Sequence, residues 1–529
     1  MLLRRQFLQI AAAAAVQADV APPKKPNILL ILADDLGFSD LGCYGSEIPT
    51  PLLDSLAKSG LRFTQMYSTA RCWPSRSCLM TGYYPQQIGR DKATDPFPAW
   101  ARYTSQYLRQ ANYRTYHSGK WHVSGKLPLA DAEFHRSYNI EDHDRFFSPQ
   151  RHRLDDKLLP PVKPNTDFYL ATHIADQAIS FLDQHAAEHK ADPFFLYLCF
   201  TSPHFPLHAP APDIAAQKGR YDEGWDVIRQ RRWQRQTKMG LINCPLPPLL
   251  PEIIPSWNLE ETKLKEQIGP GEVARAVPWN QLNPVEKNFQ AQKMEVHAAM
   301  IARMDAEIAR VVDRLKALQQ LDNTVILFGS DNGASAEQII RGDKHDRNAP
   351  PGSAATYLCL GPGWSTAANT PLKLHKHWNH EGGISSPFIV HWPAGIKDKG
   401  KLRRAPAHFV DIVPTLLALS GAQPVMKHNG LTPPPFPGLN LLPVLQKDAP
   451  LKRDFIYFHH MTNRGLRSGN WKLFSAGPNG DWELYDLSED RGETKNLAKA
   501  IPDKVKQLST LWDQADAQFA KDHQSGVKN

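Results

Sequence analysis

The chain has 529 residues, 41% of them hydrophobic and 22% charged, too long for one small core and long enough for a large α/β domain with an appendage. Its 62 Lys and Arg against 54 Asp and Glu give a net charge of +8, a balance compatible with anionic substrates. No arginine-rich block or nucleic-acid motif accompanies it, so no nucleic-acid partner is expected.

The first elements concern export. Arg4 and Arg5 precede Ile10 and an alanine tract, a charged region followed by an apolar one too short to span a bilayer. Residues 1–18 are therefore expected to be an export signal, with Val16-Gln17-Ala18 as a small-residue cleavage site. Arg4-Arg5-x-Phe7-Leu8 also looks like a twin-arginine signal. The expected location is periplasmic or extracellular, without stable membrane insertion.

Several apolar runs then end abruptly in polar residues. Asn27 to Ala33 runs into Asp34-Asp35, and Tyr113 to His117 into Gly119-Lys120-Trp121-His122. Phe194 to Phe200 runs into Ser202-Pro203-His204, and Thr324 to Phe328 into Ser330-Asp331-Asn332-Gly333. This recurrence predicts a mostly parallel sheet with a site at its carboxyl edge. Between these runs, Pro51 to Ala57 predicts a short helix closed by Gly60, and Met300, Met304, Ile308, Val311, Leu315 and Leu318 give a helix over Met294–Leu318 its core-facing stripe. Residues 244–284 are proline-rich with scattered Trp, which predicts a long surface insertion. Beyond about residue 444, Phe455–Phe458, Gly465–Arg467, Trp471–Phe474 and Trp482–Tyr485 read as hairpin strands, and Pro502 to Ala520 as a final helix. The expected domains are 25–444, catalytic, and 445–529, a small antiparallel sheet plus helix.

The polar ends carry the chemistry. Neighbouring residues on a strand alternate faces, so Asp34 and Asp35 reach one site only if the chain turns there. Paired carboxylates repel without a cation between them. With Asp331 and Asn332 they make an all-oxygen ligand set, which suits calcium or magnesium. In Cys72-Trp73-Pro74-Ser75-Arg76, Pro74 suits a helix's first position, Cys72 stands at the helix mouth, and Arg76 faces the same way four residues on. Six cysteines, at 43, 72, 78, 199, 244 and 359, are too few and irregular for a disulfide scaffold, and no metal-binding cysteine spacing occurs. Cys199, inside an apolar run, is expected to be buried.

Cys72-Trp73-Pro74-Ser75-Arg76 with Leu79-Met80-Thr81-Gly82 resembles the signature of the type I sulfatases, in the alkaline phosphatase superfamily. The resemblance continues at Asp34-Asp35, Gly119-Lys120-Trp121-His122, Ser202-Pro203-His204 and Asp331-Asn332, and at Lys376 ahead of Glu381-Gly382-Gly383-Ile384. Asn112 stands where the family's second signature has glycine. The implied fold is α/β, a mixed, mostly parallel sheet between helices with a small C-terminal antiparallel subdomain. The resemblance implies that a maturation enzyme converts Cys72 to formylglycine, whose hydrate attacks sulfur. It also implies a calcium ion held by Asp34, Asp35, Asp331, Asn332 and residue 72. Lys120 and Lys376 would hold sulfate oxygens, Arg76 and His122 would stabilise the hydrate, and His204 would protonate the leaving alcohol.

The expected substrate is a sulfated carbohydrate, with aryl sulfates also turned over. His375, His377, Trp378 and His380, with the Trp-containing insertion, are expected to rim the pocket. Two alternatives remain at this level: a phosphate or phosphonate monoester hydrolase of the same superfamily, or a silent exported binding protein in which Cys72 stays unmodified.

Overall fold

A computed structural model describes residues 25–92, 95–342, 345–477 and 479–527. The expected export signal lies outside the described residues. Among the described residues no helix is long and apolar enough to cross a membrane.

The strands are β1 Asn27–Ala33, β2 Leu61–Tyr67, β3 Arg114–Gly119, β4 Arg136–Ile140, β5 His152–Leu154, β6 Lys157–Leu158, β7 Phe194–Cys199, β8 Thr324–Ser330, β9 Ser385–His391, β10 Lys401–Arg403 and β11 Ala407–His408. They form one sheet in the order β10-β2-β9-β8-β1-β7-β3-β4-β5-β6, with β11 on β2. The centre, β8-β1-β7-β3-β4, is parallel throughout. β9 is antiparallel to both β8 and β2, so β2 runs with the central strands and β9 against them. The carboxyl ends of β1, β2, β3, β7 and β8 and the beginning of β9 therefore meet at one edge.

Both faces of the sheet are covered, as its unbroken apolar runs require. Leu29, Ile31 and Ala33 of β1 join one buried core, Ile28, Leu30 and Leu32 the other. The helix behind the first core spans Pro284–Ala317, ten residues longer at its start than its apolar stripe predicts. Its true start is an Asn283–Glu286 capping box with Pro284 at the first position. The insertion 244–284 contains one short helix, Glu261–Gln267, and a turn of 3₁₀ helix.

A second sheet, β12 Ile456–His460, β13 Asn463–Ser468, β14 Trp471–Ser475 and β15 Glu483–Asp486, is antiparallel in simple sequence order. It is followed by a helix over Pro502–Gly526. Together the two sheets give the mixed α/β architecture with an antiparallel appendage that the sequence predicts. All six cysteines carry free thiols, and Cys199 is buried in β7.

Candidate active site

β1 stops at Ala33 because the chain turns. Asp34 N–H donates to the Ser202 carbonyl at 3.1 Å, and Asp35 takes a left-handed φ of 63°, a conformation Asp tolerates better than most residues. The turn breaks strand alternation and brings both carboxylates to the edge. From the end of β8, Asp331 Oδ1 accepts from the Asp35 N–H at 3.2 Å, and Asn332 Nδ2 donates to Asp35 Oδ1 at 2.7 Å. All four side chains are buried, and Asp34 Oδ1 and Asn332 Oδ1 have no hydrogen-bond partner. Burial and the neighbouring Asp34 charge push the Asp331 carboxyl up to about 7. Crowded hard oxygens, two of them orphaned, fit a divalent cation. Asp34, Asp35 and His204 form a group whose ligand atoms lie within 4.8 Å of one another.

Fixed cations surround these carboxylates. Lys120 Nζ donates to Asp34 Oδ2 at 2.6 Å. Arg76 Nε donates to Asp331 Oδ2 and Nη1 to the Lys120 carbonyl, each at 2.8 Å. Lys376 Nζ donates to Asp35 Oδ2 at 2.8 Å and lies 3.2 Å from Glu337. Burial works against the charge of Asp34, yet Lys120, His204 and Arg76 hold its carboxyl well below the usual range. Burial likewise opposes the Lys376 ammonium, and Asp35 and Glu337 outweigh it to raise its pKa.

Lys120 reaches the edge because β3 ends at Gly119, whose φ is 119° and whose backbone passes so close to β7 that a Cβ would stand 1.8 Å from the Cys199 carbonyl oxygen. No other residue fits there. In the turn just before the same strand, Asn112 adopts a φ of 64°, so asparagine preserves the left-handed turn.

Cys72 opens a helix, Cys72–Thr81, with Arg71 as its N-cap. Pro74 is thus the third helical residue, not the first, a position where a missing N–H is still harmless. Ser75 fastens the helix to the preceding loop through hydrogen bonds with Thr69. Cys72 is 4% exposed. Burial raises its thiol pKa against the pull of Lys120 and Lys376, so the thiol itself is a poor nucleophile at neutral pH.

Two imidazoles complete the expected set. His204 Nδ1 lies 2.5 Å from the Phe205 carbonyl. A carbonyl only accepts, so Nδ1 carries the hydrogen and Nε2 is left facing the site, 3.3 Å from Lys376 Nζ. His122 has a φ of 47° and an unpartnered Nδ1. Burial, Lys120 and Arg76 lower its pKa well below the usual value and keep it neutral. The structure therefore brings Asp34, Asp35, Cys72, Arg76, Lys120, His122, His204, Asp331, Asn332 and Lys376 to one sheet edge.

The expected rim divides. His375 is buried, its Nδ1 2.7 Å from Ser365 Oγ, and His380 is buried against Phe474 with Glu483 3.3 Å from its Nε2; both pack loops and do not rim a pocket. His377 remains half-buried, its ring 4.5 Å from that of Trp257 and 5.6 Å from that of Trp378. Trp257 is the insertion's contribution, 37% exposed, and its Nε1 donates to Glu337 Oε1 at 3.0 Å.

Glu337 and His143 are the residues that sequence reasoning misses. Glu337 ties Lys376 to Trp257 and lies 3.9 Å from Arg71. His143, in the loop between β4 and β5, stands with its ring 5.4 Å from His122 and 5.9 Å from His204. Neither sits at a fixed spacing from a motif, so the chain carries no local signal for them.

A model of the family described as Sulfatase matches residues 26–422. The chain belongs to the sulfatase family. A second model, N-sulphoglucosamine sulphohydrolase, C-terminal, matches residues 373–518 of this sulfatase. An uncharacterized sulfatase of Schizosaccharomyces pombe is 33% identical over 545 residues, 93% of each chain. An arylsulfatase of Klebsiella aerogenes is 29% identical over 77% of this sulfatase and 89% of its own length. The crystal structure of Ps i-CgsB in complex with k-i-k-neocarrahexaose superposes with a TM-score of 0.65, 25% identity and 93% coverage of both chains. The sulfatase described here is thus a sulfuric ester hydrolase with the alkaline-phosphatase-like fold.

Proposed function

We propose that the protein hydrolyses sulfate monoesters at Cys72 after a maturation enzyme has converted that residue to formylglycine, and that its natural substrates are sulfated carbohydrates, with aryl sulfates turned over as well. The observation that carries this reading is the convergence of a buried, unreactive Cys72 with three fixed cations and a buried oxygen cluster at one sheet edge. Asp34, Asp35, Asp331 and Asn332 would hold a calcium ion, with residue 72 adjoining, and the ion would supply Lewis-acid polarisation of a sulfate oxygen. Formylglycine supplies a hydrated aldehyde with a second hydroxyl able to expel sulfate, an exit that serine lacks.

This chain's own residues do the remaining work. Lys120 and Lys376 place ammonium groups on the ester's non-bridging oxygens, where charge develops in the transition state. Arg76, anchored to Asp331 and the Lys120 backbone, and His122 orient residue 72. When the bond from sulfur to the alcohol oxygen breaks, that oxygen takes the proton of His204 Nε2. Burial lowers the His204 pKa, with Asp35 opposing and Lys376 adding to the shift; an anionic ester against Nε2 draws it back toward the charged imidazolium, and Phe205 keeps the ring in the required orientation.

Trp257 and His377 at the rim support a carbohydrate substrate, since indole faces stack on sugar rings. The bound neocarrahexaose of Ps i-CgsB and the name of the arylsulfatase relative support the two substrate classes. In this reading residues 25–444 form the catalytic unit and 445–529 its appended subdomain. Residues 1–18 are removed on export through the twin-arginine route, which places the working enzyme in the periplasm or outside the cell. Rates on p-nitrophenyl sulfate and p-nitrophenyl phosphate, measured side by side before and after chelation, test the reaction. The sulfate should be the better substrate and chelation should abolish its turnover; preferred phosphate turnover, or full activity after exhaustive chelation, overturns the assignment.

A further inference from the structure

Lys376 is held by two carboxylates of different standing. Asp35 Oδ2 lies 2.8 Å from its Nζ, and Asp35 also belongs to the oxygen cluster, since its Oδ1 accepts from Asn332 Nδ2. Glu337, in the loop after β8, places Oε2 3.2 Å from the same Nζ. The reaction scheme above uses Lys376 and gives Glu337 no part. Glu337 is 3% exposed. Burial opposes its charge, but Lys376 and Arg71 hold its carboxyl well below the usual range.

The surroundings of Glu337 call for a carboxylate. Trp257 Nε1 donates to Oε1 at 3.0 Å, Arg71 Nη2 lies 3.9 Å from the same oxygen, and Ser335 Oγ donates to Oε2 at 3.1 Å. With the Lys376 ammonium, every one of these groups is a donor. A carboxylate accepts at both oxygens, whereas an amide of the same shape would turn its NH2 on one set of donors or the other. The insertion 244–284 fixes this carboxylate in turn. Beside Trp257, Asn258 brackets the backbone around Glu337: its Nδ2 donates to the Ala336 carbonyl at 3.0 Å and its Oδ1 accepts from the Gln338 N–H at 2.9 Å. Farther along the insertion, Glu272 Oε2 and the Val273 carbonyl accept from Gln338 Nε2, each at 3.0 Å. The insertion thus grips three consecutive residues, with Glu337 in the middle.

We propose that Glu337 is a positioning residue of the sulfate site: it keeps the Lys376 ammonium on the ester oxygens, and the insertion, through Trp257, keeps Glu337 in place. The inference rests on the sulfatase reading of the Cys72 site and goes beyond it, because it gives the insertion a task in the reaction itself. Without Glu337 the ammonium is left to Asp35 and drawn toward the oxygen cluster. Its hold on the non-bridging oxygens, where charge develops in the transition state, is weakened. The loss falls on the rate and not on ground-state binding.

The test measures kcat and KM on p-nitrophenyl sulfate with Cys72 matured. Glu337→Gln should lower kcat by about 10–100-fold, the range for losing the partner that orients a functional side chain, with KM little changed. Glu337→Asp, which keeps the charge, should lose less. In a Lys376→Ala background Glu337→Gln should cost nothing further, because the two side chains act as one unit. Trp257→Phe keeps an aromatic face and removes the N–H, and should lower kcat by about two- to tenfold, the factor for one lost hydrogen bond. Trp257 is exposed, so this variant decides the question if Glu337→Gln fails to fold. An unchanged kcat in Glu337→Gln overturns the proposal and leaves the sulfatase reading standing, as does an equal further loss in the Lys376→Ala background, the mark of a purely structural role. If the double variant turns over too slowly to measure, equal losses in Glu337→Gln and Glu337→Asp overturn it instead. An unchanged kcat in Trp257→Phe overturns the part given to the insertion. Inactivity of the matured wild type on every sulfate ester overturns the sulfatase reading as well.

Discussion

His204 is the residue whose role the geometry constrains most. Its Nδ1 hydrogen is committed to the Phe205 carbonyl, so proton exchange with substrate falls to Nε2. Losing a positioned general acid costs about 10²–10⁴-fold, and the loss scales with how much the leaving group needs a proton. His204→Ala should therefore lower kcat by about 10²–10⁴-fold on sulfated sugars or alkyl sulfates, and far less on p-nitrophenyl sulfate, whose phenolate departs unaided. Steady-state kinetics on both ester classes check this, and equal losses on both would contradict the acid role. At this scale Asp34, Asp35, Lys120, His204, Asp331 and Asn332 were legible because each follows the end of an apolar run, whereas Cys72, Arg76 and Lys376 were legible only through the resemblance to the sulfatase signatures. Glu337 and His143 were not. They reach the site from loops, by tertiary approach to Lys376 and His122 that no local pattern encodes.

Among the elements, apolar runs ending in Asp, Lys or His correctly announced β1, β3, β7 and β8, because strands covered on both faces leave polar residues only at their ends. β2 and β9 were harder to see, since β2 carries Arg62 and Gln65 within it and β9 begins with two serines and a proline. Yet these two deliver Cys72 and Lys376. The start of the long helix at Asn283 was written in the sequence as a capping box and is obscured only by the proline-rich stretch before it. His375 and His380 look exposed in a polar sequence but pack inward, against Ser365 of the preceding helix and Phe474 of β14.

The element just before β9 also joins the appendage to the main sheet. Buried Glu381 accepts from Lys472 of β14 at 3.0 Å, Arg491 at 3.1 Å and Tyr67 of β2 at 3.0 Å. Burial opposes its charge, but Lys472, Arg491 and Arg467 hold its carboxyl at about 2, below the ordinary 4.5. A depressed acid contributes stability that is fully present above the unfolded value and is lost as pH falls through the folded one. The network's contribution should thus decline from pH 4.5 toward 2. By linkage it amounts to about 3 kcal/mol. Glu381→Ala, which takes the carboxylate from Arg491 and leaves Lys472 with Glu493 alone, should cost about 3–5 kcal/mol at neutral pH and flatten the acid end of the stability curve. Urea midpoints across pH measure both; an unchanged midpoint would show that the clamp contributes nothing.

Across the whole molecule, an unbroken parallel centre aligns several strand ends at one edge, and the structure fills that edge with charge: three basic side chains each within 2.8 Å of a carboxylate oxygen of the cluster. The insertion 244–284 was legible as irregular, but its two late tryptophans have opposite fates that composition does not distinguish. Trp279 is buried against Trp225, its ring 4.7 Å away, and Trp257 stands at the rim. The central claim of this account is that the edge acts through a modified Cys72. Arg71 and Arg76 bracket it, so trypsin releases the peptide Cys72–Arg76 for mass spectrometry from protein made beside an active maturation enzyme. The account predicts the aldehyde mass, with sulfate release from the same preparation rising in proportion to the converted fraction; full sulfate release from protein whose Cys72 is wholly unmodified would contradict it.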